Sequence, residues 1–326
     1  MSVPRRSLVP AVLLAVALVA PLFLDARGYP IRVLTFALLF AAMGQAWNIV
    51  GGLAAQMSLG HAGFFGIGAY TSTLLLVRTG VSPWVGMIAG AALAALAAVL
   101  LSIPTLKLKG HYFALATLAF GEVMRVVAGA WEHFTGGPQG ISVPFSPDSL
   151  AAFQFKATRP YYYVMLAALV LVSLAFLAVS RGKLGYRLRA IRANQDAAEV
   201  VGIGTFRAKL AASVISASLT AALGTCYAQL NYFFDPETVF GLAPISIRVA
   251  LIAIVGGTGT LWGPFVGAAF LIPAEELTNH YLGAAVAGIS QLAYGLLLIV
   301  VILIEPRGLV ALRIPRLGRR KVEVAP

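Results

Sequence analysis

Ten predominantly apolar stretches of 17 to 23 residues recur along the chain, at roughly 8–24, 33–50, 61–77, 81–103, 111–130, 161–180, 210–230, 244–262, 263–280 and 286–304. Crossing a hydrocarbon layer of ~30 Å takes about 20 apolar residues in a helix. Lipid gives backbone amides no partner, so a crossing segment is either a helix or a strand of a closed barrel. The stretches lack the period-two alternation of barrel strands, which leaves helices. No water-soluble fold could bury this composition, with 60% hydrophobic residues, 11% charged residues and a mean hydropathy of +0.88. The expected fold is an all-α integral membrane protein, a polytopic bundle of about ten transmembrane helices (eight to ten), with 1–326 forming one transmembrane domain.

A net charge of +12 would suggest nucleic acid in a soluble protein, but here its distribution excludes that partner. With the N-terminus in the cytoplasm, 17 Lys and Arg fall inside: Arg5, Arg6, Lys107, Lys109, seven in 181–209 and six in a basic tail, 305–326. Only Arg27, Arg32, Arg78, Lys156 and Arg159 fall outside, and Arg125 and Arg248 lie within spans. That asymmetry predicts a multi-pass protein with both termini cytoplasmic. The first stretch follows Arg5 and Arg6 and contains Pro10 and Pro21, so a cleavable signal is the alternative to a retained span. No clear small-x-small cleavage site follows it, and a retained span is expected. Only Leu261 to Pro264 separates the eighth and ninth stretches, so that pair is expected as two spans or as a re-entrant or broken hairpin. Residues 131–160 and 231–243 are turn-rich connectors on the outer side.

Between the second and third stretches runs NIVGGLAAQMSLGHAGFFGIGAY, Asn48 to Tyr70, dense in glycine and carrying Asn48, Gln56, Ser58, Gly60 and His61. Glycine permits both close helix packing and unwound backbone. Unwound backbone at membrane depth survives only inside protein or beside a wet cavity. These five residues are therefore candidates for a translocation path, with tight packing, as at Gly86 and Gly90, the competing reading. A second stretch, Ile254 to Ala268, opens with the same Ile-Val-Gly-Gly tetrapeptide and contains the Gly263–Gly267 pair, which raises an internal repeat. His61 has no second ligand at metal spacing, so a packing or capping role is expected and no metal or cofactor. Cys226 lies in an apolar stretch and reads as a small core residue. Glu122 and Arg125, three apart on one helix face, can pair. Arg248 and Glu275-Glu276 are further intramembrane charges, read either as structural pairs or as part of the permeation path.

The segment 181–209 carries Leu184, Leu188 and Ile191 at helical spacing, and Ala198 and Val201 extend the stripe. Arg187, Arg192, Asp196 and Glu199 stand off it, and Gly202 and Gly204 end the helix. Taken alone, such a loop either docks a soluble partner or rests on anionic lipid. Asp196-Ala197-Ala198-Glu199-Val200-Val201-Gly202 resembles the EAA-x3-G signature of ABC importer membrane subunits, with Asp for the leading Glu and no following Ile-x-Leu-Pro. SLGHAGFFGIGAYT (58–71), GHYFALATLAFGEVMR (110–125), FTGGPQGI (134–141) and GYRLRAIRANQDAAEVVGI (185–203) resemble, in order, the permeases of branched-chain amino acid ABC importers over roughly 40–310.

This resemblance implies a type II-like importer in a bacterial inner membrane: a second homologous permease subunit, two cytoplasmic ATP-binding subunits and a periplasmic or extracellular substrate-binding protein. Asp196, Ala197, Ala198, Glu199 and Gly202 would form the ATPase-coupling helix within a coupling loop, 181–209. The chain has no GxxxxGK[ST] phosphate loop, so it is not expected to be an enzyme. Branched-chain amino acids are the expected cargo, with urea, short amides or aromatic acids as alternatives carried by the same machinery. An ion-coupled secondary transporter is the rival class. It would need polar cation ligands at mid-membrane, and it leaves Asp196–Gly202 without a purpose.

Overall fold

The computed structural model describes residues 17–26, 28–108, 110–145, 149–282, 292, 295, 296, 299, 300, 303 and 308–311. The described chain is mostly helical. At its centre stands α1, Tyr29–Val50, whose apolar residues cover its whole circumference, so it is stable only when covered on every side. It is: 83% of its apolar window is buried.

Around α1 lie α2 (His61–Thr79), α3 (Pro83–Thr105), α4 (His111–Ala130) and the short α5 (Glu132–Thr135). Then follow α6 (Thr158–Arg181), α7 (Lys183–Ala193), α8 (Gln195–Val200) and α9 (Thr205–Asn231). The chain continues through α10 (Pro236–Phe240), a π-helical run Leu242–Ile247 merging into α11 (Arg248–Gly256), and α12 (Gly263–Leu282). Helices α6, α9, α11 and α12 all touch α1. Among the described residues, five helices, α1, α3, α4, α6 and α9, are long and apolar enough to cross a membrane. The windows of α3, α4 and α6 are only 28%, 22% and 33% buried, so their outer faces remain apolar and uncovered. Such faces suit lipid or another hydrophobic subunit.

A second assembly joins α2, α3 and α9 through small residues. A Cβ on Gly68 of α2 would lie 1.9 Å from the Ala221 carbonyl oxygen of α9, and one on Gly224 would lie 2.1 Å from that of Phe65. Gly90 of α3 meets the Gly68 backbone, and Gly86 meets Ser72. The packing reading of these glycines thus describes them well: with few hydrophobic gains available in lipid, close backbone approach is the main source of association.

The two turn-rich connectors meet. Strand β1 (Ile141–Ser142) pairs antiparallel with β2 (Phe233–Phe234), Ile141 opposite Phe234. Three glycines at positive φ (Gly136 at 77°, Gly137 at 56° and Gly140 at 71°) turn the TGGPQG segment into this pairing. Asp235 caps α10 through Oδ1, which accepts from the Thr238 amide at 2.7 Å.

Two expectations change. The eighth stretch, 244–262, is helical only to Gly256, because Gly257 (φ 127°) and Gly259 (φ 77°) take conformations that end a helix. The helical run Leu242–Gly256 spans ~22 Å at 1.5 Å per residue, short of a full bilayer. The stripe through 181–209 is also interrupted. Asn194 is extended (φ −163°), so α7 and α8 are separate helices, and Val201 is 75% exposed instead of continuing the buried face. Of the outermost stretches, residues 1–16 and most of 286–304 lie outside the described residues, as does most of the 305–326 tail.

Candidate functional site

Helix α8 holds Asp196, Ala197, Ala198 and Glu199 and is capped at both ends. The Asn194 Oδ1 accepts from the Ala197 amide at 3.1 Å, satisfying one of the free donors of the first turn. At the other end Gly202, at φ +83°, donates its N–H to the Glu199 carbonyl, and Ile203 donates to that of Ala198, both at 3.0 Å. This paired pattern around a left-handed glycine is a Schellman closure. It makes a six-residue helix definite where isolated helices of that length are unstable.

One face of α8 is anchored. Ala198 is buried in a cluster with Leu188 and Ile191 of α7, Ile49 and Val50 of α1 and Ala208 of α9. The Glu199 carboxylate accepts from Thr205 Oγ1 at 2.7 Å and from Gln195 Nε2 at 3.0 Å. Gln195 Oε1 in turn accepts from the nearly buried Lys209 Nζ at 2.6 Å. The opposite face is bare: Val200 is 88% exposed and Val201 follows it. Two adjacent exposed valines on a capped, braced helix form a compact apolar tip. Glu199 therefore ties α8 to its own bundle, and the apolar tip comes from Val200, which the sequence pattern did not single out, and from Val201, which it placed on the buried stripe.

Behind α8 lies the glycine-rich link between α1 and α2. Asn48 is fully buried at the end of α1, where Oδ1 accepts from the Gly259 amide at 2.7 Å and Nδ2 donates to the Thr260 carbonyl at 2.8 Å. One side chain, just before the Ile-Val-Gly-Gly segment 49–52, therefore holds residues 259 and 260, just after the second such segment, 254–257. A Cβ on Gly52 would lie 1.9 Å from Asn48 Oδ1, which explains glycine there. Gln56 borders a cavity of about 230 Å³ with Arg192, Gln195 and Lys209.

Ser58, Gly60 and His61 sit at the start of α2. Ser216 Oγ donates its proton to the Ala46 carbonyl oxygen at 2.7 Å, so His61 Nε2 must donate to Ser216 Oγ, at 2.9 Å. His61 Nδ1 then accepts from Ser58 Oγ at 3.2 Å. The ring is a neutral imidazole that ties α2 to α9 and, through Ser216, to α1. Gly60 passes so close to α4 that a Cβ would meet the Thr117 carbonyl oxygen at 2.8 Å. The cavity beside Ser58 and His61 measures about 20 Å³, room for roughly one water.

Among the intramembrane charges, Arg125 pairs with both Glu122 and Glu237, and Arg248 pairs with Glu275. Sequence reading missed Lys209, Ser216 and Thr260, and it placed Arg192 only as a residue off the apolar stripe. Arg192, Ser216 and Thr260 act through contacts 140 to 212 positions away, which spacing does not reveal, and Lys209 reaches Gln195 across the turn from α8 to α9.

A family described as the permease component of branched-chain amino acid transport systems matches residues 29–304. The chain belongs to that family. The permease is 30% identical to the high-affinity branched-chain amino acid transport permease LivM of Escherichia coli, covering 97% of this chain and 77% of that protein. It is 26% identical to the probable branched-chain amino acid permease LivH of Methanocaldococcus jannaschii, over 78% and 82% of the two chains. It is also 24% identical to the nucleoside ABC transporter permease NupC of Lactococcus lactis, over 66% and 71%. No solved structure matches the permease. The matched region contains every candidate site residue, and the homologues are transport permease subunits.

Proposed function

We propose that this permease is the membrane subunit of an ATP-driven importer for branched-chain or other hydrophobic amino acids in a bacterial inner membrane. It works beside a second homologous permease subunit, with two cytoplasmic ATP-binding subunits and an external substrate-binding protein. The pair of permeases forms the path, in a type II-like bundle of about ten helices in each, with both termini cytoplasmic. Relatives named for branched-chain amino acids, matched over nearly the whole chain, support the cargo class.

The observation that carries the coupling role is the form of α8. A short helix capped at Asn194 and Gly202, braced through Ala198 and Glu199, exposes Val200 and Val201. An apolar tip held rigidly on the bundle can enter a groove of an ATPase and pass its movement inward. A helix that rested on lipid would have no use for such bracing.

The test is reconstitution with the three partner types in proteoliposomes. Val200→Asp with Val201→Asp should abolish substrate-stimulated ATP hydrolysis and leucine uptake while leaving membrane insertion intact. Wild-type stimulation in that variant would remove the coupling assignment. Failure of the native complex to import any neutral amino acid would remove the cargo assignment.

A further inference from the structure

A cavity of about 420 Å³ with a mixed polar and apolar lining opens between α1, α9, α11 and α12, at the end of the bundle away from α8. Its volume lies in the ~300–1,000 Å³ range of small-ligand sites. Four ionic side chains line it: Arg32 of α1, Arg248 of α11, and Glu275 and Glu276 of α12. They are arranged in two layers. Arg248 pairs with Glu275 while its guanidinium lies 5.1 Å from the Phe40 ring centroid. Farther along, Glu276 accepts from the Tyr29 hydroxyl, and Arg32 lies 5.8 Å from the Phe36 ring centroid. Phe36, Phe40, Ile245 and Ile272 supply the apolar wall.

This set of charges is costly for a purely structural purpose. Arg248, Glu275 and Glu276 lie within apolar stretches, where a charge is costly unless it is paired or faces a wet cavity. A single helix–helix tie could be made from neutral groups, as His61 and Ser216 do elsewhere in the bundle. Two cations and two anions around one hollow instead sum to zero charge while keeping both signs within reach. An anion or a cation entering alone would leave one charge unbalanced. A zwitterion would not, because its carboxylate can take an arginine and its ammonium a glutamate while the pair between them opens. The aromatic and aliphatic wall would then receive an uncharged side chain.

We propose that this cavity is a vestibule for the zwitterionic head of an α-amino acid, with Arg248 meeting the carboxylate, Glu275 the ammonium, and the Arg32–Glu276 layer admitting the ligand from the outer side. The inference rests on the importer reading and gives it a site within this chain. The vestibule is apart from Asn48, Gln56, Ser58, Gly60 and His61, none of which lines it.

Asn279 lines the same cavity and is exposed, whereas the native Cys226 is buried, so Asn279→Cys supplies a reporter thiol. In the assembled transporter, L-leucine should slow labelling of Asn279→Cys by a membrane-impermeant maleimide, and acetate or methylamine, each with one of the two charges, should not. Adding Glu275→Gln or, separately, Arg248→Gln should remove that protection and lower the leucine uptake rate roughly tenfold, with the complex still assembled in the membrane. The proposal is overturned if leucine imported normally by the Asn279→Cys complex gives no protection. Equal protection by acetate also overturns it, since the cavity would then be an anion site. A native complex that imports no neutral amino acid would sink the importer reading itself, and that result is distinct from normal import without protection.

Discussion

The Arg192 guanidinium donates a hydrogen bond of 2.5 Å to the Gly52 carbonyl oxygen, across 140 positions of sequence. The same guanidinium nitrogen lies 2.8 Å from where a Cβ on Gly259 would be. One arginine at the end of α7 therefore touches both glycine-rich links, immediately before the turn into α8. A displacement of α8 has a direct mechanical route to the start of α2 and to the loop before α12.

That contact gives a first expectation. Arg192→Ala should leave basal ATP hydrolysis by the assembled complex unchanged and sharply reduce its stimulation by loaded binding protein. A hydrogen bond to a charged group contributes about 1.5–3 kcal/mol, enough to shift a two-state equilibrium by more than tenfold. Arg192→Lys, with one charge but no planar fork, should recover only part of the stimulation. Full stimulation in Arg192→Ala would show that movement reaches the bundle by another route.

Asn48 should prove a stability determinant. Asn48→Ala would strand the Gly259 amide and the Thr260 carbonyl in the interior, at about 1–3 kcal/mol for each unsatisfied group. Asn48→Asp should be at least as damaging, because a buried carboxylate would face the Thr260 carbonyl oxygen in place of a donor. Thermal unfolding of the detergent-purified complex should show both variants melting below the native protein. Unchanged melting of Asn48→Ala would mean that the two links are held together without this side chain.

Much of the fold was legible in the sequence because lipid enforces a simple rule. Apolar stretches became helices at nearly the expected places, from 33–50 within α1 to 263–280 within α12. Legibility failed where glycine decides conformation. Nothing in an apolar count says that Gly256 and Gly257 end α11 six residues early, and only the positive φ values of Gly257 and Gly259 explain it. At the site, the DAA-x3-G pattern located α8 but did not say which residues face out. Glu199 turns inward to Thr205 because α9 begins there, and Val201 turns outward because Asn194 resets the helix phase. The spacing of the glycine-rich link suits either a path lining or tight packing. The contacts that join its residues to other helices, such as His61–Ser216, 155 positions apart, are ones that no local spacing encodes.

The α2–α3–α9 seam makes a steric prediction. Gly68→Ala should lower the yield of monodisperse protein on size-exclusion chromatography, because the added methyl group would sit 1.9 Å from the Ala221 carbonyl oxygen, where only backbone movement can relieve it. Gly80→Ala, at a helix end with open space around it, should affect yield far less despite its φ of 69°. Equal yields from the two variants would argue that the seam is looser than its backbone distances imply.

Gly202 separates backbone strain from crowding. No atom lies within 4 Å of a Cβ placed there, so any effect of substitution must come through its φ of +83°. The left-handed conformation costs most L-residues about 1–2 kcal/mol, and Asn less, because its short polar side chain can bond locally. Proline is excluded outright, since its ring locks φ near −65° and removes the N–H that bonds to Glu199. Substrate-stimulated ATP hydrolysis should therefore fall in the order Gly202, Gly202→Asn, Gly202→Ala, Gly202→Pro, with membrane levels equal in immunoblots. Should Asn and Ala variants lose the same activity while proline retains it, the Schellman closure of α8 would not be what presents Val200 and Val201 to the ATPase.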